Sequence, residues 1–179
     1  MKSVLMIALF AMMTGGMGAA AEAAPQVGDA APDFSLPYAT RDSVASDQLV
    51  LSSLVGRKNV VLAFYPADWS GGCTKEVCTL RDNFSALGDL NADVIGISGD
   101  YVFSHHEWAS HHNLPFRLAS DHNHDVAKKY GSFNEANGFN KRTVFVVDKA
   151  GKIAYADLAY SPRDSVSFGK LQAALKGMK

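Results

Sequence analysis

The stretch FYPADWSGGCTKEVCTLRD, Phe64 to Asp82, decides how the chain is read. It opens at the end of an apolar, strand-like run, NVVLAFY (Asn59–Tyr65). Pro66 has no amide hydrogen to give to a sheet ladder and stops that run. Gly71 and Gly72 then let the backbone bend tightly before a helix that starts near Cys73. Val77, Leu80, Phe84 and Leu87 follow at helical spacing, so a helix over 73–87 has one buried face. Ligands of open α/β sheets bind at such carboxyl ends of strands.

Working outward, two more runs read as strands covered on both faces: DVIGIS (Asp93–Ser98) and TVFVVD (Thr143–Asp148). Helical stretches fall between them, at 101–113 and 122–130. A tight turn at Asp148–Lys152 leads into KIAYADLA and makes a hairpin. A closing helix over 164–175 carries Val166, Leu171 and Leu175. Strands alternating with helices predict an α/β layered sheet. No repeat, low-complexity block or linker divides the chain after Ala24, so 24–179 is expected to be one domain.

Composition excludes several classes. Of 179 residues, 47% are apolar, too many for a disordered chain, and two cysteines cannot make a disulfide-dense scaffold. A net charge of −1 without basic blocks argues against nucleic acid or an anionic membrane as partner. The N-terminus is different in character. Lys2, the apolar run Val4 to Met13 and GGMGAAAEAA, with Ala-x-Ala options at Ala19/Ala21 and Ala21/Ala23, have the layout of a secretory signal peptide. Residues 1–23 are therefore expected to be a leader, and the domain periplasmic or extracellular. The alternative is a retained anchor, against which the apolar stretch is short of the ~20 residues that span a bilayer.

Cys73 falls in the first turn of its helix, where unpaired amides and the helix dipole favour an anion. A thiol so placed is reactive as thiolate. The plainer alternative is a buried structural cysteine; the two glycines, the helix start and the Ser70 hydroxyl favour reactivity. Cys78 lies five residues on, about 7.5 Å along the axis and 140° around it on an intact helix. The Cα atoms would be roughly 8–9 Å apart, beyond the ~7 Å limit for a disulfide, so a bond requires the helix start to unwind. Cys78 is thus either a second redox thiol or a small hydrophobe on the inner face.

These residues resemble the peroxiredoxins, the thiol-specific antioxidant branch of the thioredoxin-like fold. Pro66, Ser70 and Cys73 match the pattern P-x-x-x-[T/S]-x-x-C. GDAAPDFSLP (Gly28–Pro37), SGDYVFSHHEWASHHNLPF (Ser98–Phe116) and KRTVFVVDKAGKI (Lys141–Ile153) look like the family's other segments, in order. CTKEVC is similar to the bacterioferritin-comigratory branch, whose second cysteine can lie on the same helix. The resemblance implies a central mixed sheet flanked by helices, and a peroxidase that needs no metal or prosthetic group. It implies that Cys73 attacks hydroperoxides, with Cys78 able to resolve the product. Ser70 would bond thiolate and peroxide, Pro66 would shield the sulfur, and Arg142 would stabilise charge on the leaving oxygen. Glu76 would hold Arg142; by its position alone it is an ordinary first-turn acid. The implied partners are a hydroperoxide and an external thiol or dithiol reductant, a thioredoxin-like protein or a small thiol, with a homodimer as a compatible assembly. Gly71 departs from the family, which usually has proline there, and makes the loop more pliable.

Trp69 adjoins the site and reads as packing, with a wall of the pocket as the alternative. The six histidines read as solvated helix residues, although His105 and His112 share a face and could pair as ligands. Rival functions are an exported copper-handling protein on the same fold and a thiol–disulfide reductant. Against copper, four residues separate Cys73 from Cys78 in place of three, and no histidine lies near the later hairpin.

Overall fold

The computed structural model describes residues 23–163 and 165–178. In chain order the elements are β1 (Ser35–Ala39), β2 (Val44–Val50), β3 (Asn59–Phe64), α1 (Gly71–Asp82), α2 (Phe84–Asp89), β4 (Ala92–Ser98) and α3 (Val102–His111). They continue with β5 (Arg117–Ser120), α4 (Asp125–Lys129), β6 (Phe133–Asn134), β7 (Phe139–Asn140), β8 (Thr143–Val147), β9 (Ile153–Asp157) and α5 (Ser165–Lys176). The leader assigned to residues 1–23 falls outside the described residues except for its last, as does Asp164 at the predicted start of α5.

Seven strands form one sheet in the order β2-β1-β5-β4-β3-β8-β9. β3, β4 and β5 are mutually parallel, and the remaining pairs are antiparallel. Of the four strands read from sequence, β4, β3 and β8 lie side by side inside this mixed sheet, and the fourth, β9, follows β8 at its edge. β3 is buried along its whole length, and its alternation explains why it reads as continuously apolar. Val61, Ala63 and Tyr65 enter a core shared with α1, α3 and α5, whereas Val60, Leu62 and Phe64 enter one shared with α4.

One predicted helix ends early, and one hairpin has no counterpart in the sequence reading. The helix expected over 73–87 is broken at Asn83, whose backbone leaves helical geometry at φ −108° and ψ 8°. Its side-chain amide donates to the Thr79 carbonyl at 2.8 Å, the local competition that disfavours Asn inside helices. The hairpin β1–β2 was not legible as strands, because β2 is a sheet edge with the exposed polar centre Ser46-Asp47-Gln48. No helix among the described residues is long and apolar enough to cross a membrane.

Candidate active site

β3 delivers the chain to the site. Tyr65 extends its ladder once more, its amide donating to the Ile97 carbonyl, and half-buried Pro66 then turns the backbone away. The loop ends at Ser70, the N-cap of α1, whose hydroxyl accepts the Cys73 amide at 3.4 Å. Cys73, Val77 and Leu80 form the inner stripe of α1, so the same spacing that buries the helix buries the thiol completely.

The second half of the site arrives from β8. That strand runs antiparallel to β3 with Thr143 opposite Phe64, which places Arg142 beside the loop exit. Its Nη2 donates to Cys73 Sγ at 3.2 Å and its Nη1 to Glu76 Oε2. Glu76 is 1% exposed, and its Oε1 has no partner. Burial pushes its carboxyl up to about 7, against the pull of the Arg142 charge and hydrogen bond. Burial works to lower the Arg142 pKa, but the charges of Glu76 and Cys73 outweigh it and leave the guanidinium above its ordinary value.

Ser70, Cys73, Glu76 and Arg142 thus meet at the start of α1, with Pro66 at the entry to the loop. Cys78 shares α1 with Cys73, half-buried, and both thiols are free. Two other expectations are corrected. Trp69 is not packing: it is 53% exposed, with its ring beside His111 and His112 at centroid distances of 5.6 and 6.3 Å. His105 is not solvated. It is fully buried, with Nδ1 2.9 Å from Asp68 Oδ2.

Sequence reasoning missed two features. Gly72 was read as a bend, yet its value is space, because a Cβ there would stand 2.7 Å from Arg142 Nη2. Asp68 drew no reading from the sequence. Its buried carboxylate accepts from the Tyr65 hydroxyl (2.8 Å), the Ser104 hydroxyl (2.8 Å) and His105 Nδ1. Its partners on α3 lie 36 and 37 residues away, so no local pattern could reveal them. The one available signal was a histidine on the same helix face as Trp108. Between Asp68 and Ser70, Trp69 sits at φ 60°, and the Ser70 amide closes on the Asp68 carbonyl at 2.8 Å. This is a γ-turn of the rare hand, and such a conformation costs of order 1–3 kcal/mol for a side-chain-bearing residue.

A buried sulfur facing a fixed guanidinium, at a helix start after a strand's carboxyl end, defines a thiol-based redox site. The AhpC/TSA family model matches residues 27–156. Peroxiredoxin Bcp of Bacillus subtilis (strain 168) is 34% identical over 134 residues, covering 72% of this chain and 82% of that protein. Chloroplastic peroxiredoxin Q of Oryza sativa subsp. japonica is 40% identical over 129 residues, 72% of this chain, and the chain spans 57% of that protein's length. The crystal structure of peroxidoxin BcpB from Mycobacterium tuberculosis superposes with a TM-score of 0.74 at 31% identity, covering 87% of this chain and 99% of that one. The chain belongs to the AhpC/TSA family and, with its thioredoxin-like fold, is a peroxiredoxin, a thiol-dependent peroxidase.

Proposed function

We propose that Cys73 is the peroxidatic cysteine and that hydrogen peroxide and organic hydroperoxides are the substrates. The observation that carries this reading is the 3.2 Å hydrogen bond from Arg142 Nη2 to Cys73 Sγ. The Cys73 thiolate attacks one peroxide oxygen, an S–O bond forms and the O–O bond breaks. Negative charge develops on the departing oxygen, which leaves as water or alcohol after taking a proton. A fixed guanidinium and aimed hydroxyl and amide donors stabilise that charge. Arg142 supplies the first, Ser70 the hydroxyl, and the start of α1 the amides. Pro66 bounds the loop and limits water at the sulfur, and Glu76 orients Arg142.

Cys73 leaves this step as a sulfenic acid. Attack by the Cys78 sulfur forms the S–S bond and releases water. An external dithiol then reduces the disulfide, giving its two electrons and two protons. Cys73 is buried on an intact helix, so the first turns of α1 open before Cys78 can reach it. The leader at residues 1–23, supported by Lys2, the apolar run and the Ala-x-Ala sites, carries the domain at 24–179 out of the cytoplasm.

Mass spectrometry with stopped-flow oxidation tests the cycle. Wild type loses two hydrogens after one equivalent of peroxide. Cys78→Ser completes one turnover and gains one oxygen, and Cys73→Ser consumes no peroxide. Undiminished peroxide consumption by Cys73→Ser would end the assignment.

A further inference from the structure

We propose that Asp68 and His105 are positioning residues of the peroxidase, holding the strained turn at Trp69 and thereby fixing Ser70 against Cys73. The inference rests on the roles of Cys73 and Ser70 given above. Left-handed backbone at a bulky aromatic persists only where its surroundings over-determine it. Trp69 is about half exposed, with its ring beside those of His111 and His112, and its backbone is fixed through the residues on either side of it.

On one side stands Asp68, whose side chain is fully buried. Tyr65 donates to Oδ1, and Ser104 and His105 donate to Oδ2, so strand β3, the loop and α3 meet on a single carboxylate. The 2.9 Å approach of His105 Nδ1 to that oxygen assigns the ring proton to Nδ1. Tyr65 remains a donor, since burial and then the Asp68 charge hold its phenol well above the ordinary value. The backbone of Asp68 is fixed as well: its amide donates to Asp100 Oδ2 at 2.9 Å, and Asp100 accepts from Ser98 at the end of β4. On the other side of Trp69 the Ser70 amide returns to the Asp68 carbonyl, and the Ser70 hydroxyl accepts from the Cys73 amide. A continuous chain of bonds therefore runs from α3 through Asp68 and the strained turn to the residue that caps the catalytic helix.

The arrangement assigns a division of labour. The loop stays clamped to α3 and β4 on the N-terminal side of Cys73, and this chain of bonds does not extend to the part of α1 that unwinds toward Cys78. Loosening the clamp misplaces the hydroxyl before peroxide arrives, and slows the oxidation step.

Stopped-flow oxidation by hydrogen peroxide, followed by quenched thiol alkylation of Cys73, tests this on the full domain. Asp68→Asn is expected to lower the second-order rate constant at least tenfold. In a Ser70→Ala background the same substitution lowers it less than twofold further, because the hydroxyl it positions is already gone; a purely structural role would multiply the two losses. Trp69→Gly added to Asp68→Asn recovers threefold or more, because glycine takes positive φ without strain. If Asp68→Asn does not fold, His105→Ala takes its place, with rescue by His105→Asn, whose amide can stand in for the Nδ1 donor.

An Asp68→Asn rate within twofold of wild type, a full multiplicative loss with Ser70→Ala, or no recovery with glycine (or with His105→Asn) overturns the proposal. Peroxide consumption surviving Cys73→Ser strikes the peroxidatic assignment itself, a separate result that removes this inference too.

Discussion

The two faces of the sheet both bury carboxylates, and they treat them differently. On the face covered by α4, Asp121 accepts from the backbone amides of Val126 and Ala127 at 3.2 and 2.7 Å. It satisfies groups that every helix start leaves unpaired. On the face covered by α1 and α3, Glu76 and Asp68 accept from side chains, and those side chains reach or position the sulfur. Buried polar atoms without partners are found here as well, at Glu76 Oε1, His105 Nε2 and Trp108 Nε1. The α4 face is arranged for stability. The α1 face accepts polar burial that stability alone would not favour, because a guanidinium held in place against a buried thiol requires it.

The strongest way to break this contrast is Arg142→Ala. Removing a preorganised charge donor of this kind slows a reaction by about 10²–10³-fold. Stopped-flow oxidation of Cys73 measures it, and a variant within twofold of wild type would take Arg142 out of the chemistry.

Glu76 sharpens the contrast through pH. Its folded carboxyl, at about 7, lies above its ordinary 4.5, so the folded state binds the proton more tightly than the unfolded chain does. The associated stability is complete below about 4.5 and is lost as pH rises through about 7. The loss is on the order of 3 kcal/mol, from 1.36 kcal/mol per unit. Urea titrations of wild type and Glu76→Gln across this range should show the wild type declining relative to the variant. A relative gain with rising pH would mean that the ion pair with Arg142 outweighs burial.

On the opposite face, Asp121→Ala strands two backbone donors and is expected to cost about 1–3 kcal/mol. Thermal or urea unfolding measures that loss, and the peroxide rate stays within twofold of wild type. A tenfold fall in rate at unchanged stability would erase the distinction between the faces.

How much of this was readable from the sequence follows the range of each interaction. β3, β4 and β8 announce themselves because each is covered on both faces and reads as an apolar run. Cys73 and Ser70 announce themselves because a strand stop, two glycines and a helix start are local signals. Arg142 and Glu76 were reached through resemblance alone; the antiparallel register of β3 and β8 that joins them is a tertiary fact. β1 and β2 escaped because an edge hairpin needs no apolar alternation. Asp68 and His105 escaped because a buried polar pair leaves no periodicity, and the prior for aspartate is exposure. The break at Asn83 was legible in principle, since Asn inside a helix competes for backbone carbonyls.

The two adjacent glycines make the smallest test and the cleanest. Both lie in α1 and neither has a positive φ, so alanine at either should stabilise the helix by roughly 0.5–1 kcal/mol. They differ only in what lies above them. A Cβ at Gly71 meets nothing within 4 Å, whereas at Gly72 it stands 2.7 Å from Arg142 Nη2. That atom is the far end of a flexible side chain, so the backbone need not move; the guanidinium swings off the sulfur. Gly72→Ala should therefore be as stable as Gly71→Ala and oxidise about tenfold more slowly, while Gly71→Ala stays within twofold of wild type. Unfolding and stopped-flow traces on the pair separate the effects, since the helix gain is common to both and cancels. Equal oxidation rates would mean that Arg142 tolerates displacement, and that the space above Gly72 has no part in the site.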